Sequence, residues 1–233
     1  MDTFSLSPAQ EQGARARTQT ERARAIPERR EPFLKYPIDV ALALTMLIFG
    51  APVFALISLL IKREDGGPIF YTQERWGRRG ETFRVYKFRT MVPNSDEVYG
   101  IRQASHDDER ITRVGKTLRA MGLDELPQLV NILKGEMSFV GPRALAIGEL
   151  VNDGGGNMLT VEQVPGFYER LAVRPGLTSV ATIYLPKDAP PRKKFAYDLL
   201  YVKQQSTALD LQLIAISFWV SFRGKWETRA GKV

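Results

Sequence analysis

The 233-residue chain has no cysteine. That excludes disulfide scaffolds, thiolate catalysis and Cys-based zinc or iron sites. It also fits a cytoplasmic location. There is one histidine, His106. A single imidazole removes His-rich metal sites and the H-E-x-x-H arrangement. His106 lies in the polar stretch Ser105-His106-Asp107-Asp108 and reads as a surface residue. Long apolar runs are scarce too. Residues 38–61 form one and nothing like it recurs, which excludes a polytopic membrane protein. No internal repeat is visible.

Hydrophobic residues make up 44% and charged residues 25%, a globular balance. The net charge of +7 points to an anionic partner: nucleic acid, anionic lipid or a phosphorylated ligand. The apolar run favours the last two. Of its 24 residues, only Asp39, Thr45, Gly50, Pro52 and Ser58 fall outside the hydrophobic set. As one straight helix it rises roughly 36 Å, enough to cross a hydrocarbon core of about 30 Å. Two features argue against a simple crossing. Pro52 stands near the middle, and an interior proline removes a backbone hydrogen bond and kinks a helix. Both flanks are basic: six arginines and Lys35 precede the run between residues 15 and 35, and Lys62-Arg63 follow it. The positive-inside tendency keeps both flanks on the cytoplasmic side. A bent helix that enters and leaves by one face satisfies both features. A kinked spanning helix and a buried core helix are the alternatives.

The rest reads as soluble. Residues 1–34 are an expected mobile tail, poor in large apolar side chains. No cleaved signal peptide is expected, because the apolar run starts late and no A-x-A-like site follows it. Residues 69–73 and 82–88 read as short strands around the turn Arg75-Trp76-Gly77-Arg78-Arg79-Gly80. Phe83, Val85 and Phe88 read as core positions. Residues 93–110 read as a loop, 111–121 and 126–133 as helices, and 152–157 as a Gly-rich loop. Pro186 to Pro191 marks another break. Thr207-x-x-Asp210 resembles a capping box opening an apolar helix. That helix, with Trp219, Phe222 and Trp226 beside Arg223 and Lys225, reads equally as interfacial or as core. Asp210, Ser217 and Ser221 share one stripe of it.

The densest chemistry lies in Arg119-Ala-Met-Gly-Leu-Asp124-Glu125-Leu-Pro127. Asp124 reads as a helix N-cap, with Pro127 tolerated in the first turn. Two adjacent carboxylates can divide labour between nucleophile and magnesium ligand, since Mg²⁺ prefers carboxylate oxygens together with substrate phosphates. Lys87 and Arg89 in YKFRTM, Arg119, Arg143 in Val140-Gly141-Pro142-Arg143, and Arg174 in Arg174-Pro175-Gly176 supply cations in Gly/Pro-framed turns. Guanidinium groups grip phosphate bidentately. Together they suggest an anionic phosphate substrate.

These stretches resemble the monotopic phosphoglycosyl transferases of the bacterial sugar transferase family. The matching segments are KYPIDVALALTMLIFGAPVF, GGPIFYTQERWGRRGETFRVYKFRTM, RITRVGKTLRAMGLDELPQLVNILKGEMSFVGPR, RPGLTS and YDLLYVKQQSTALDLQLI, about residues 35–222. The resemblance implies transfer of a sugar 1-phosphate from a UDP-sugar to polyprenyl phosphate, with polyprenyl diphosphate sugar and UMP as products. It implies a covalent phosphosugar on Asp124, Glu125 as the Mg²⁺-associated partner with Asp124 beside it, and phosphate contacts from Lys87, Arg119, Arg143 and Arg174. It also implies a re-entrant helix broken at Pro52 and a monotopic enzyme on the cytoplasmic face of the bacterial inner membrane.

The expected architecture is α+β and mostly helical. It comprises a re-entrant membrane helix over 35–61, a cytoplasmic catalytic domain over 62–194 with a short β-hairpin, and interfacial helices over 195–226. Membrane lipid is an expected partner, nucleic acid is not, and a homodimer is left open. Four positions depart from the family pattern. Ala51 precedes Pro52 where Ser is common, Gly122 takes the usual Ser place, Ala144 follows Gly-Pro-Arg where Pro is usual, and the run after Gly176 reads LTSVATIYLPKDAP. The last bears on donor choice. A non-catalytic membrane-anchored scaffold of the same fold is the alternative, and the intact Asp124-Glu125 pair speaks against it.

Overall fold

The computed structural model describes residues 26–95, 108–153, 156–186 and 188–226. Residues 1–25 of the expected tail, His106 and most of the 93–110 loop lie outside the described residues.

Helix α1 (Lys35–Asp65) is 31 residues long. Among the described residues it is the one helix long and apolar enough to cross a membrane. Its hydroxyls are satisfied internally: Thr45 donates to the Ala41 carbonyl at 2.8 Å and Ser58 to that of Phe54 at 2.7 Å. Helical structure is present on both sides of Pro52, which lies inside the helix. One expectation is corrected: the helix runs past residue 61 to Asp65. It stops only where Gly66 turns left-handed (φ 70°) and returns its N–H to the Lys62 carbonyl.

One face of α1 is bare: Ile48, Phe49, Val53 and Leu56 are exposed. The other face packs on the domain through Ala43, Ile57 and Ile61. Both ends are tied to that same domain. At the start, Lys35 Nζ donates to the Val140 carbonyl (2.9 Å), Tyr201 Oη (3.0 Å) and Asp210 Oδ2 (2.7 Å). Asp39 accepts from the Phe139 amide at 3.1 Å and pairs with Arg174. At the finish, Asp65 pairs with Arg89, and Glu64 accepts from the amides of Arg113 and Val114. Asp39, the one charge inside the apolar run, is there to meet the domain and not the lipid-like surface.

Strands β1 (Phe70–Trp76) and β2 (Thr82–Phe88) form an antiparallel hairpin, registered from Phe70↔Phe88 to Trp76↔Thr82. The first strand is longer than the expected 69–73, since Arg75 and Trp76 pair across to Phe83 and Thr82 instead of turning. Phe83, Val85 and Phe88 are buried as core. Helix α2 (Arg113–Met121) starts on Thr112, whose hydroxyl accepts from the Gly115 amide. A 3₁₀ turn (Leu123–Gln128) then leads into α3 (Leu129–Leu133).

Two further ladders follow. Strand β3 (Ser138–Val140) pairs in parallel with β6 (Gly176–Thr178), and β4 (Leu150–Asn152) pairs antiparallel with β5 (Met158–Thr160). The class is α+β as expected, with three two-stranded ladders among the described residues instead of one hairpin. Helices α4 (Phe167–Arg170), α5 (Val180–Tyr184), α6 (Pro191–Gln204) and α7 (Thr207–Phe222) close the fold. The main core joins Val85, Leu129, Val140, Phe167, Phe195 and Leu213.

Helix α7 has a core face and an exposed apolar face. Leu213, Ile214 and Val220 are buried, while Leu211, Trp219 and Phe222 are exposed. Its polar stripe points inward: Asp210 meets Lys35 and Ser217 donates to Thr178 at 2.8 Å. The expected capping box is corrected. Ser206, not Thr207, caps the helix by accepting from the Leu209 amide, and Asp210 is committed to the buried ion pair.

Candidate active site

The α2–α3 junction presents the carboxylate pair. Helix α2 ends at Gly122 in the left-handed region (φ 69°), which reverses the chain and starts the 3₁₀ turn carrying Asp124 and Glu125. This corrects the expectation that Asp124 is a helix N-cap. Gly122 holds the cap position and Asp124 lies in the first turn, its carboxylate free for other work. A side chain at 122 would also meet the Trp226 indole, 2.9 Å from a Cβ built there. The residue that departs from the family pattern is thus matched to a C-terminal aromatic.

Strand β2 and the Gly141-Pro142-Arg143 turn bring the cations. Lys87 Nζ donates to Glu125 Oε1 at 2.5 Å, and Arg143 Nη1 lies 3.6 Å from the same oxygen. The Gly-Pro-Arg turn leans on a backbone contact that only glycine allows. A Cβ on Gly141 would fall 2.3 Å from the Arg174 carbonyl, and one on Gly176 2.1 Å from the Gly141 nitrogen. Asp124, Glu125, Lys87, Arg119 and Arg143 share one cavity of about 730 Å³.

The two carboxyls are driven apart electrostatically. Burial pushes Asp124 up to about 6, helped by the adjacent Glu125 and opposed by Lys87, Arg119 and Arg143. Burial pushes Glu125 up as well, but Lys87 and Arg143 outweigh it and bring it down to about 2. Burial also lowers Lys87 below the usual lysine value. Neighbouring carboxyls held at different ionisation set-points mark a site able to assign them different roles.

Two expected phosphate ligands are not brought to this cavity. Arg89 is buried and forks onto Asp65 at 2.5 and 2.6 Å, with its Nε on the Pro68 carbonyl. It ties β2 to the end of α1. Arg174 is buried under the start of α1, held by Glu31 at 2.7 Å and Asp39 at 3.1 Å. Arg89 is committed to Asp65 and Arg174 to Glu31 and Asp39, and neither lines the cavity.

The structure adds residues that sequence reading passed over. Arg170 donates through Nε and Nη2 to Asp198 Oδ2 (3.0 and 2.6 Å) and through Nη2 to the Arg143 carbonyl (2.7 Å). Arg75 Nη1 donates to the Ala144 carbonyl at 2.5 Å. Two arginines therefore clamp consecutive carbonyls of the turn that presents Arg143. Asp198 lies in a matched segment, YDLLYVKQQS, but its type and spacing alone gave it no role.

Among the described residues no group of three or more His, Asp or Glu converges. The cavity offers two adjacent carboxylates beside phosphate-seeking cations. That fits an ion held by one or two carboxylates with substrate phosphates and water completing its shell, the habit of Mg²⁺, and does not fit a protein-only cage.

Half-buried carboxylates ringed by lysine and arginine, beside a long apolar helix, fit an enzyme of group transfer between anionic substrates. Comparison with known proteins makes this specific. The bacterial sugar transferase model matches residues 30–224, and the chain belongs to that family. It is a transferase of sugar 1-phosphate. It is 41% identical over 186 residues to the exopolysaccharide production protein PSS of Rhizobium leguminosarum bv. phaseoli, covering 78% of this chain and 91% of that protein. It is 34% identical over 198 residues to the UDP-glucose:undecaprenyl-phosphate glucose-1-phosphate transferase of Escherichia coli K12, covering 82% of this chain and 41% of that one. It is also 34% identical over 189 residues to the UDP-N-acetylgalactosamine-undecaprenyl-phosphate N-acetylgalactosaminephosphotransferase of Aeromonas hydrophila, covering 78% and 42%.

Proposed function

We propose that this protein transfers a sugar 1-phosphate from a UDP-sugar to a polyprenyl phosphate, an opening step of exopolysaccharide assembly, by way of a covalent phosphosugar on Asp124. The carboxylate of Asp124 attacks the phosphorus bonded to the sugar oxygen. The bridging oxygen departs with UMP. A phosphate oxygen of the polyprenyl phosphate then attacks the same phosphorus, frees Asp124 and yields polyprenyl diphosphate sugar. Each step exchanges one P–O bond for another.

The observation that carries this reading is the split carboxyl pair in a cavity lined by Lys87, Arg119 and Arg143. An anionic nucleophile approaching an anionic phosphate needs fixed positive charge, and Lys87, Arg119 and Arg143 supply it without reorganisation. Lys87 and Arg143 hold Glu125 ionised and aimed. Asp124, unburdened by a cap or an ion pair, is the nucleophile. Mg²⁺ held near Asp124 and Glu125 would neutralise diphosphate charge. The aspartyl intermediate divides one difficult transfer into two easier ones.

The acceptor class fits the anchor. Helix α1 is tied to the domain at both ends, by Lys35 and Asp39 at one and by Glu64 and Asp65 at the other, while its middle is exposed and apolar. This supports a helix that enters and leaves one leaflet, with the domain on the cytoplasmic face of the inner membrane. Substituted cysteines at Arg30 and Lys62 are expected to label from the same side.

The test is transfer of labelled sugar phosphate from a panel of UDP-sugars to undecaprenyl phosphate in detergent. UMP, not UDP, is the expected nucleotide product. Asp124→Asn is expected to lower the rate on the order of 10³-fold or more. Equal activity of Asp124→Asn and wild type would remove Asp124 as nucleophile.

A further inference from the structure

Beyond the last turn of α7 the chain doubles back. Gly224 turns left-handed (φ 62°), and the amides of Gly224 and Lys225 return to the carbonyls of Ser221 (3.0 Å) and Val220 (3.2 Å). That reversal carries the next residue, Trp226, to the end of α2. Its amide donates to the Ala120 carbonyl at 3.2 Å. This is one of the last four carbonyls of α2, which have no partner inside the helix. Its indole lies against Gly122, where an added Cβ would fall 2.9 Å from both Cδ1 and Nε1 of the ring. The Nε1 hydrogen goes to Ser221 Oγ at 2.8 Å, which sets the orientation of the ring. Trp226, Ser221 and Gly122 all line the cavity that holds Asp124 and Glu125.

Two facts set this contact apart from the shared family frame. Trp226 lies beyond residues 30–224, which match the family model. Gly122 stands where the family pattern has Ser, and the missing side chain leaves the room that the indole fills. The seat of the indole is also where the site begins. Gly122, at φ 69°, reverses the chain directly into the 3₁₀ turn that carries Asp124 and Glu125. A group that holds Ala120 and Gly122 therefore holds the base of both carboxylates. We propose that Trp226 is a positioning residue: the return from α7 clasps the end of α2 and fixes the turn that presents Asp124 to the phosphate. The clasp completes a line of contacts, because α7 is already joined near its start to the head of α1 through Asp210 and Lys35. This inference rests on the proposed role of Asp124 as nucleophile and adds the residue that aims it.

The experiment measures transfer to undecaprenyl phosphate in detergent, with the best donor of the UDP-sugar panel, at a temperature where every variant is folded. Trp226→Ala is expected to lower kcat about tenfold, the scale of a small misplacement of a reacting group. KM for the UDP-sugar is expected to stay within about twofold, since no donor contact is removed. Trp226→Phe keeps a flat ring over Gly122 and is expected to recover most of the loss, while Trp219→Ala, exposed on the outer face of α7, leaves kcat unchanged. In Gly122→Ala protein, where the added methyl already displaces the indole, adding Trp226→Ala is expected to cost less than about twofold further. Hydrogen exchange of the amides of residues 120–125 gives a readout that does not depend on turnover. Trp226→Ala is expected to speed that exchange and Trp226→Phe to leave it near wild type. Should Trp226→Ala fail to fold, Trp226→Leu is read in its place against the same expectations. Unchanged kcat, unchanged exchange, or an equal loss of kcat with Gly122 and with Ala at 122 overturns the clasp. A rise in KM for the UDP-sugar at unchanged kcat assigns the indole to donor binding and overturns it too. Absence of any wild-type transfer to undecaprenyl phosphate overturns the transferase reading itself, and the exchange comparison still decides whether Trp226 holds the turn.

Discussion

The Arg170–Asp198 pair offers a way to separate folding from catalysis. Both side chains are only 2% exposed. Arg170 spends two donors on Asp198 and one hydrogen on the Arg143 carbonyl, and its guanidinium stacks on Phe195 with 4.5 Å to the ring centre. Removing one partner, as in Asp198→Ala, strands a buried charge and is expected to cost about 3–5 kcal/mol. For a chain of this size that is a fall in melting temperature on the order of 10 °C. Replacing both, as Arg170→Met with Asp198→Leu, leaves no uncompensated charge, and stability is expected to return to within about 1–2 kcal/mol of wild type. Activity is not expected to return with it. The Arg143 carbonyl has lost its donor, the Gly-Pro-Arg turn is free to shift, and a small misplacement of a phosphate-binding guanidinium costs up to about 10²-fold in rate. Thermal unfolding in detergent and UMP release from the same preparations provide the two readouts. A double variant that recovers both stability and full rate would show that the Arg170 contact does not position Arg143.

Two further predictions follow from the catalytic turn. In EDTA-treated protein, Asp124 titrates near 6, above its ordinary 3.8, because burial penalises its charge. The folded state thus binds this proton more tightly than the unfolded chain. The associated stability is complete below 3.8 and is lost as pH rises through about 6, so Asp124→Asn is expected to be more stable than wild type at pH 8, by up to about 3 kcal/mol, and equal at pH 3.5. A pH-independent difference in melting temperature would contradict this. Gly122→Ala is expected to destabilise by about 1–3 kcal/mol through its positive φ alone. Contact with the Trp226 ring adds to that, so combining it with Trp226→Ala should recover the steric part, and strictly additive melting temperatures would refute the contact.

What could be read from the residues divides along a physical line. The hairpin strand 82–88, the buried Phe83, Val85 and Phe88, and the grouping of Lys87, Arg119 and Arg143 around the acidic pair all rest on local pattern or on residue types that attract one another. Arg89 and Arg174 failed as cavity residues because an arginine's charge says nothing about which carboxylate captures it first. Asp65 and Glu31, far away in sequence, decide that. The same long-range capture moved the cap of α7 from Thr207 to Ser206 and gave Asp210 to Lys35. The Arg75 and Arg170 clamps were illegible because their acceptors are backbone carbonyls, which carry no sequence signature.

The anchoring of α1 at both ends bears on how the protein senses its bilayer. A straight helix of 31 residues would extend about 46 Å, and an ordinary spanning segment of such length must tilt or distort lipid to match the hydrocarbon thickness. Here Lys35 and Asp65 are both held by ion pairs to the domain, so the distance between the ends of the helix is set by protein contacts. Under the proposed one-leaflet insertion the opposite leaflet would not enter that distance. Immersion depth would then be governed by the single water–lipid boundary on the domain's own side, and turnover in vesicles of short-chain and long-chain lipids should differ little. In that arrangement the Lys35–Asp210 junction would work as a draught mark, holding Asp124 at one level in membranes of any thickness.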